Sequence, residues 1–266
     1  MIKQFLYEAT EKRIDQIADR GDFNDLKFLA FDTETTGLHY YQGKIRSLNL
    51  KLPSAVSKEL DEFYSQKFKV DKKEAHEVTR SLHSPDAELQ LAEIAAVVFD
   101  TKGNEIDRFH EYITFDENMA SEKVMRLIHW NDEKKKAGKD PAQVLKSFSS
   151  FLKKHDKAII LAHNAPYDVS IITGLAKKFK ILDLVSYIKS KSTVIVDTRK
   201  TTKLREVIKD ILPTKTNQFG KVREDNVQGS IIKSLGIENK AAHTAIEDVL
   251  SLKNMFLKLI ELYKGK

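Results

Sequence analysis

The hydrophobic pattern of this chain changes its period at Pro141, and that change leaves few architectures open. Between residue 27 and Pro141 the candidate elements are short apolar runs of strand length. After Pro141 the apolar residues recur at helical spacing and alternate with further short runs. The candidate strands are 27–32, 91–99, 105–115, 158–162 and 194–196. Strands that come first and then alternate with helices predict an α/β fold, with a mixed five-stranded sheet flanked by helices.

The remaining segments complete an interpretation of residues 1–266 as one domain. Apolar residues share one helical face near the start, so we interpret 1–26 as a helical extension. The interval 39–90 is far longer than a usual connection between strands, which indicates an insertion. Segment 213–226 carries basic residues around a glycine, and we interpret it as a mobile basic loop. Helical patterns are predicted from 196 to about 208, up to Leu235, and from about Ala245 to Tyr263.

Composition limits the chemistry and the location of the protein. Without cysteine, the chain has no disulfides, cysteine-based zinc sites, iron–sulfur clusters or thiol nucleophiles. Its 45 Lys and Arg exceed its 39 Asp and Glu by 45 − 39 = 6, which indicates a polyanionic partner only weakly. No apolar run approaches the roughly 20 residues of a membrane span, and no export signal is apparent. We therefore expect a cytoplasmic protein that does not contact membranes.

Two acidic residues follow the first predicted strand in the segment FDTETTGL, residues 31–38. Side chains alternate along a strand, so Asp32 and Glu34 project from the same face with Cα atoms roughly 6.6 Å apart. A polar strand end that runs into a turn would explain this pair equally well when it is taken alone.

Two further segments place acidic residues at the start of helices. In HNAPYD, residues 163–168, Asn164 is a candidate N-cap and Asp168 lies one turn into the helix, at the carboxyl end of a strand. In AAHTAIED, residues 241–248, a capping box starts the helix, with Asp248 on its first turn and His243 just outside. Taken singly, Asp168 is explained by the helix dipole and His243 as a surface histidine.

Four acids in one pocket require neutralising cations, because like charges gathered out of water are costly. An all-carboxylate set favours Mg²⁺ or Mn²⁺ over zinc. Two such ions roughly 3.5 to 4 Å apart would clamp the attacking and leaving oxygens of a phosphoryl displacement. His243 then suits proton abstraction from water, since histidine changes its protonation state near neutral pH.

The three segments also resemble the motifs of the DEDDh 3′→5′ exonucleases, a group that includes RNase T, the TREX enzymes and a proofreading subunit of bacterial DNA polymerase III. The order and spacing are similar, and a histidine separated from Asp248 by four residues is typical of the histidine branch. Softer similarities, among them Asp197 and Thr198 after a strand, extend the resemblance over about residues 27 to 260.

The resemblance implies a ribonuclease H-like fold and a role for each site residue. Asp32, Glu34 and Asp248 would surround one metal ion. Asp32 would bridge to a second ion supported by Asp168, with His243 as general base. The implied contacts to the 3′-terminal nucleotide come from Thr35, Thr36, Gly37, Leu38 and Asn164.

The predicted activity is therefore metal-dependent 3′→5′ exonucleolytic hydrolysis of single-stranded or frayed DNA to nucleoside 5′-monophosphates. Two alternatives stay open, namely an RNA-trimming exoribonuclease and a catalytically silent module that binds nucleic acid or docks on a polymerase. The form of the first motif favours DNA. A polymerase partner and self-association are both left open. The insertion also has two interpretations, a packed structural segment or a surface for a single strand.

Overall fold

A computed structural model of the chain describes most of the predicted domain. The described residues are 25–36, 90–117, 120, 122–190, 192–199, 212, 214–216, 222–224, 227–237 and 243–264, with isolated positions at 58, 61–63, 65–66, 71 and 73. The predicted N-terminal helix, the helical pattern that ends near 208, Gly37, Leu38 and most of the 39–90 insertion lie outside them.

Five strands form one sheet, as predicted. They are β1 (Lys27–Thr35), β2 (Leu91–Asp100), β3 (Glu105–Tyr112), β4 (Ile159–Ala162) and β5 (Ile195–Asp197). Their spatial order is β3-β2-β1-β4-β5, and β4 runs parallel to both of its neighbours, β1 and β5. Because β2 and β3 follow each other through a tight turn at Asp100 to Asn104, the sheet is mixed. Residues Leu91–Phe99 of β2 are all buried, which is typical of a strand covered on both faces.

Seven helices lie among the described residues: α1 (Glu122–Leu127), α2 (Asp132–Ala137), α3 (Pro141–Lys154), α4 (Ala165–Lys178), α5 (Leu182–Lys189), α6 (Gln228–Ser234) and α7 (Ala245–Lys264). The helices predicted after Pro141 and at the end of the chain are confirmed. Each shows the expected period, with the apolar residues of α3 buried on one face. In the described part of the chain, no helix has the length and apolar character that crossing a bilayer requires.

The interpretation of 213–226 as a loop was wrong in part. Two short strands, β6 (Thr214–Thr216) and β7 (Val222–Glu224), pair there as a separate antiparallel sheet. Backbone pairing places Lys215 opposite Arg223. Short strands without a strong alternating apolar pattern leave little trace in sequence, which is why this pair was missed.

Contacts within the chain divide it into two units. The first comprises 1–32, 94–110 and 142–266. Its core is a cluster of buried residues from the sheet, α6 and α7, in which Phe28 contacts Phe256 edge to face with ring centroids 5.0 Å apart. Packing of α7 against this core fixes the helix whose first turn carries Asp248.

The second unit comprises 33–93 and 111–141. Its described residues are held by a small polar network. The Gln90 backbone N–H donates to the Thr36 hydroxyl at 3.0 Å, and the Gln90 amide bonds to the backbone of Asp116. Lys134 is almost fully buried, and its ammonium donates to Glu93 at 3.2 Å and to the carbonyl of Ile128 at 2.8 Å. A buried ammonium needs such partners because desolvation is costly.

Candidate active site

The end of β1 presents two carboxylates on one face of the strand, as predicted. Asp32 and Glu34 are partly exposed, whereas Phe31, Thr33 and Thr35 between and beside them are buried. This alternation is the period of a strand. The strand is three residues longer than the apolar run indicated, so Glu34 is held by regular strand geometry rather than by a turn.

The second predicted acid lies at the same edge of the sheet. Because β4 runs parallel to β1, with Leu161 opposite Ala30, the carboxyl ends of both strands reach one edge. From there the chain turns into α4 and places Asp168 on its first turn, where it is only 2% exposed. Burial of a carboxylate to this extent is uncommon outside functional or paired positions.

The cap of α4 differs from the prediction. Asn164 does occupy the N-cap position, but its side chain makes no capping hydrogen bond. Its backbone is left-handed, with φ 70° and ψ 45°. The turn is held instead by Asp197 at the end of β5, whose carboxylate accepts a hydrogen bond from the Asn164 N–H at 2.9 Å.

The third predicted segment places His243 and Asp248 together. Helix α7 begins at Ala245, directly after Thr244, in agreement with the predicted capping box. His243 is exposed and has a left-handed backbone with φ 71°. Its backbone N–H donates to Asp248 Oδ2 at 3.2 Å. Sequence reasoning missed Gln228 of α6, whose amide donates to the carbonyl of Asp248 at 2.8 Å.

Potential metal ligands come together at Glu34, His243 and Asp248. One ligand atom from each lies within 4.8 Å of the others, and no other such group occurs among the described residues. Asp32 and Asp168 are not members of this group. Two carboxylates and an imidazole suit a divalent cation, since oxygen donors dominate the set. The structure thus brings three of the five predicted metal and catalytic residues into one cluster.

The predicted substrate contacts are described only in part. Thr35 and Thr36 are buried, at 8% and 3% exposure. The Thr36 backbone N–H and hydroxyl both interact with Gln90, so its side chain is engaged within the protein. Gly37 and Leu38 lie outside the described residues. Their contacts with substrate, and those of Asn164, stay predictions.

Comparisons with known proteins place the chain among nucleases. A protein-family model, RNase_T, described as an exonuclease, matches residues 77–256. No curated protein sequence matches the chain.

Solved structures share its fold. A structure of exonuclease I said to suggest how processivity is achieved has a TM-score of 0.59 and 15% identity, over 90% of this chain and 43% of its own. E. coli exonuclease I in complex with a dT13 oligonucleotide has a TM-score of 0.58 and 15% identity, over 90% of this chain and 43% of its own. The zinc-bound form of the E. coli exonuclease I complex with single-stranded DNA has a TM-score of 0.56 and 15% identity, over 90% and 42%. This chain spans less than half the length of those proteins. At this identity the likeness establishes the fold alone, and it confirms the ribonuclease H-like sheet.

Proposed function

The chain belongs to the RNase_T family of exonucleases, and from that membership we propose that it is a metal-dependent 3′→5′ exonuclease. The proposed substrate is single-stranded or frayed DNA, and the proposed products are nucleoside 5′-monophosphates. The observation that carries the proposal is the family match to residues 77–256, which includes Asp168, His243 and Asp248. The residues of the first motif, Asp32 and Glu34, precede the matched segment. The cluster of Glu34 with His243 and Asp248 is the support for including that motif in the site.

The donor set fits Mg²⁺ or Mn²⁺. Carboxylate oxygens are the preferred ligands of these hard cations, and Asp32, Glu34, Asp168 and Asp248 supply four carboxylates. Cations held by these carboxylates would neutralise negative charge on the phosphate and on the leaving oxygen. We propose that two ions are held, with Glu34 and Asp248 contributing to one and Asp168 supporting the other.

His243 is the proposed general base. The exposed position of its residue leaves the imidazole accessible to water and substrate. Its backbone is tied to Asp248 by the 3.2 Å hydrogen bond, so the base and a proposed ligand are positioned by one short segment. In the proposed step His243 takes a proton from the attacking water as its oxygen bonds to phosphorus. The bond from phosphorus to the 3′ oxygen of the preceding nucleotide breaks, that oxygen takes a proton from solvent water and leaves as a hydroxyl, and His243 returns its proton to solvent.

DNA is the proposed substrate class because exonuclease I, which shares the fold, has been solved with dT13 and dA16 oligonucleotides. A single strand is favoured, since a terminal phosphodiester in a stacked duplex is hidden from a site at a sheet edge. The net charge of +6 suits a polyanionic substrate. Self-association and a polymerase partner stay open proposals that an activity assay on the isolated chain does not require.

The test uses two copies of one single-stranded DNA oligomer, labelled at the 3′ or the 5′ end, with Mg²⁺ or Mn²⁺. We expect the 3′ label to appear at once as a mononucleotide and the 5′ label to appear in a ladder of shortening strands. EDTA should stop both. If a matched RNA oligomer is degraded faster than the DNA, the proposed substrate class is RNA rather than DNA.

Substitutions test which residues take part in the proposed active site. We expect Asp168→Ala to abolish hydrolysis and His243→Ala to reduce it by about 10²- to 10⁴-fold, the usual contribution of a general base. Asp25→Asn, an exposed carboxylate next to β1, is the control and should retain full activity. Hydrolysis that is unchanged in Asp168→Ala would refute the assignment, and tight binding of single strands without cleavage in either metal would favour a silent module.

A further inference from the structure

The connection between β4 and α4 is so short that contacts from other elements must fix its conformation. Strand β4 ends at Ala162 and α4 begins at Ala165, so only His163 and Asn164 join them. Asn164 has a left-handed backbone, a conformation that residues other than glycine adopt infrequently, although asparagine adopts it more readily than most. It also gives α4 no side-chain cap. A strained, uncapped turn of this kind persists only where the surrounding structure holds it.

The neighbouring strand β5 supplies that support through its last residue. Asp197 pairs with Ala162 in the parallel register, which puts its carboxylate beside the turn. Asp197 Oδ1 accepts two backbone hydrogen bonds, from Asn164 N–H at 2.9 Å and from Arg199 N–H at 3.0 Å. One oxygen atom thus accepts hydrogen bonds from both sides of the junction between β5 and the turn, and this contact holds the turn in place.

The next residue, Thr198, holds the same turn from its other side. Thr198 is 4% exposed, and its N–H donates to the carbonyl of Ala162 at 3.0 Å. Its hydroxyl lies 2.9 Å from Nδ1 of His163 and 3.3 Å from the same carbonyl. The last residue of β4 and both linking residues, His163 and Asn164, are therefore bonded to Asp197 or Thr198.

We propose that Asp197 and Thr198, the β5 clamp, are positioning residues for the active site. By holding Asn164 in its left-handed conformation, the clamp fixes the direction in which α4 leaves the sheet. Asp168 lies one helical turn further along α4 and follows that direction. The inference rests on the proposed function, in which Asp168 supports a cation. Placement errors of about 1 Å in such sites can cost 10²-fold in rate.

The test compares Asp197→Ala with Asp197→Asn. The alanine variant removes the acceptor, whereas asparagine retains an Oδ1 that can accept both N–H groups. Asp183→Ala is the matched control, because Asp183 also accepts hydrogen bonds, but from the Ser149 and Lys153 side chains of α3 rather than from the backbone of the turn. In all variants we would measure amide hydrogen exchange across 160–170, Mn²⁺ affinity by calorimetry, and kcat and KM on a DNA oligomer.

We expect Asp197→Ala to speed exchange in this segment, to weaken Mn²⁺ binding by about 10- to 100-fold, and to lower kcat more than it raises KM. Asp197→Asn should restore all three to within about threefold of the original. Asp183→Ala should lower the melting temperature without changing Mn²⁺ affinity. Unchanged exchange and Mn²⁺ affinity in a folded Asp197→Ala protein would overturn the proposal. An asparagine variant as weak as the alanine variant would also overturn it, because charge rather than geometry would then be responsible.

Two further measurements cover the cases in which Asp197→Ala does not fold or the original protein shows no nuclease activity. If Asp197→Ala does not fold, Thr198→Val and Thr198→Ser take its place. Valine removes the hydroxyl beside His163 and should speed exchange, whereas serine should not, and equal exchange in the two would overturn the clamp. If the original protein cleaves neither DNA nor RNA, the proposed nuclease function fails. Hydrogen exchange in the metal-free protein still decides whether Asp197 holds the turn.

Discussion

Asp107 of β3 joins the sheet to the end of α3, and removing its charge should destabilise the fold in a pH-dependent way. Its Oδ2 accepts hydrogen bonds from Lys154 at 2.7 Å and from His155 Nε2 at 2.8 Å. The hydrogen bond from Lys154 and that from His155 lower the pKa of Asp107 from 3.8 to about 2. A carboxyl group whose pKa is lower in the folded state stabilises that state above its unfolded pKa.

The size of the effect follows from the two pKa values. A pKa of 3.8 in the unfolded chain and about 2 in the folded chain corresponds to a contribution of at most about 2.5 kcal/mol to the free energy of unfolding near neutral pH. The Asp107 side chain is 27% exposed and that of Lys154 is 67% exposed, so solvent screens the pair. We therefore expect Asp107→Asn to lower the free energy of unfolding by about 1 kcal/mol at pH 7.

The assay is urea unfolding followed by circular dichroism at several pH values. The contribution of Asp107 itself should be fully present at about pH 5, because its carboxyl group is then ionised in both folded and unfolded chains. It should shrink as the pH falls below about 4 toward 2, where the folded state also takes up the proton. Asp25→Asn, an exposed carboxylate outside this contact, is measured beside it as the control. A difference that stays constant down to pH 3, or is absent at pH 7, would refute the assignment.

Other substitutions test the packing of each unit. Gly103→Ala should cost about 1–2 kcal/mol in urea unfolding, because Gly103 has φ +87° and an added Cβ would lie 2.8 Å from the tip of Leu257. A cost below about 0.3 kcal/mol would contradict this backbone explanation. Lys134→Met should cost about 3–5 kcal/mol, since Glu93 is 2% exposed and would lose its ammonium partner. The double variant Lys134→Met/Glu93→Leu should recover most of that loss in the same assay, and a double variant less stable than Lys134→Met would contradict the ion-pair explanation.

Local patterns in the sequence were sufficient to predict most strands of the five-stranded sheet. The turn between β2 and β3 is an example, because Asp100 accepts hydrogen bonds from Lys102 N–H and Asn104 N–H within the same five residues. Such bonds depend on sequence neighbours alone. The start of α7 after Thr244 and the shared face of Asp32 and Glu34 follow from local periodicities in the same way. These features therefore could be predicted.

Features that depend on residues close in space but distant in sequence could not be predicted. The side chain of Asn164 was predicted to cap α4, but the turn is held from β5 by Asp197, which periodicity cannot place beside it. The burial of Lys134 inside a charged helix is a second case, since only the positions of Glu93 and Ile128 supply its partners.

The identity and approximate order of the acidic residues were thus determined by the sequence, because strand and helix periods assign each carboxylate to the end of an element. Which of them meet was decided by the tertiary structure. The position of Asp248 is an example, because it depends on the packing of α7 against the core. Distances between segments remote in sequence depend on strand order and helix packing, and no local sequence pattern determines either of them.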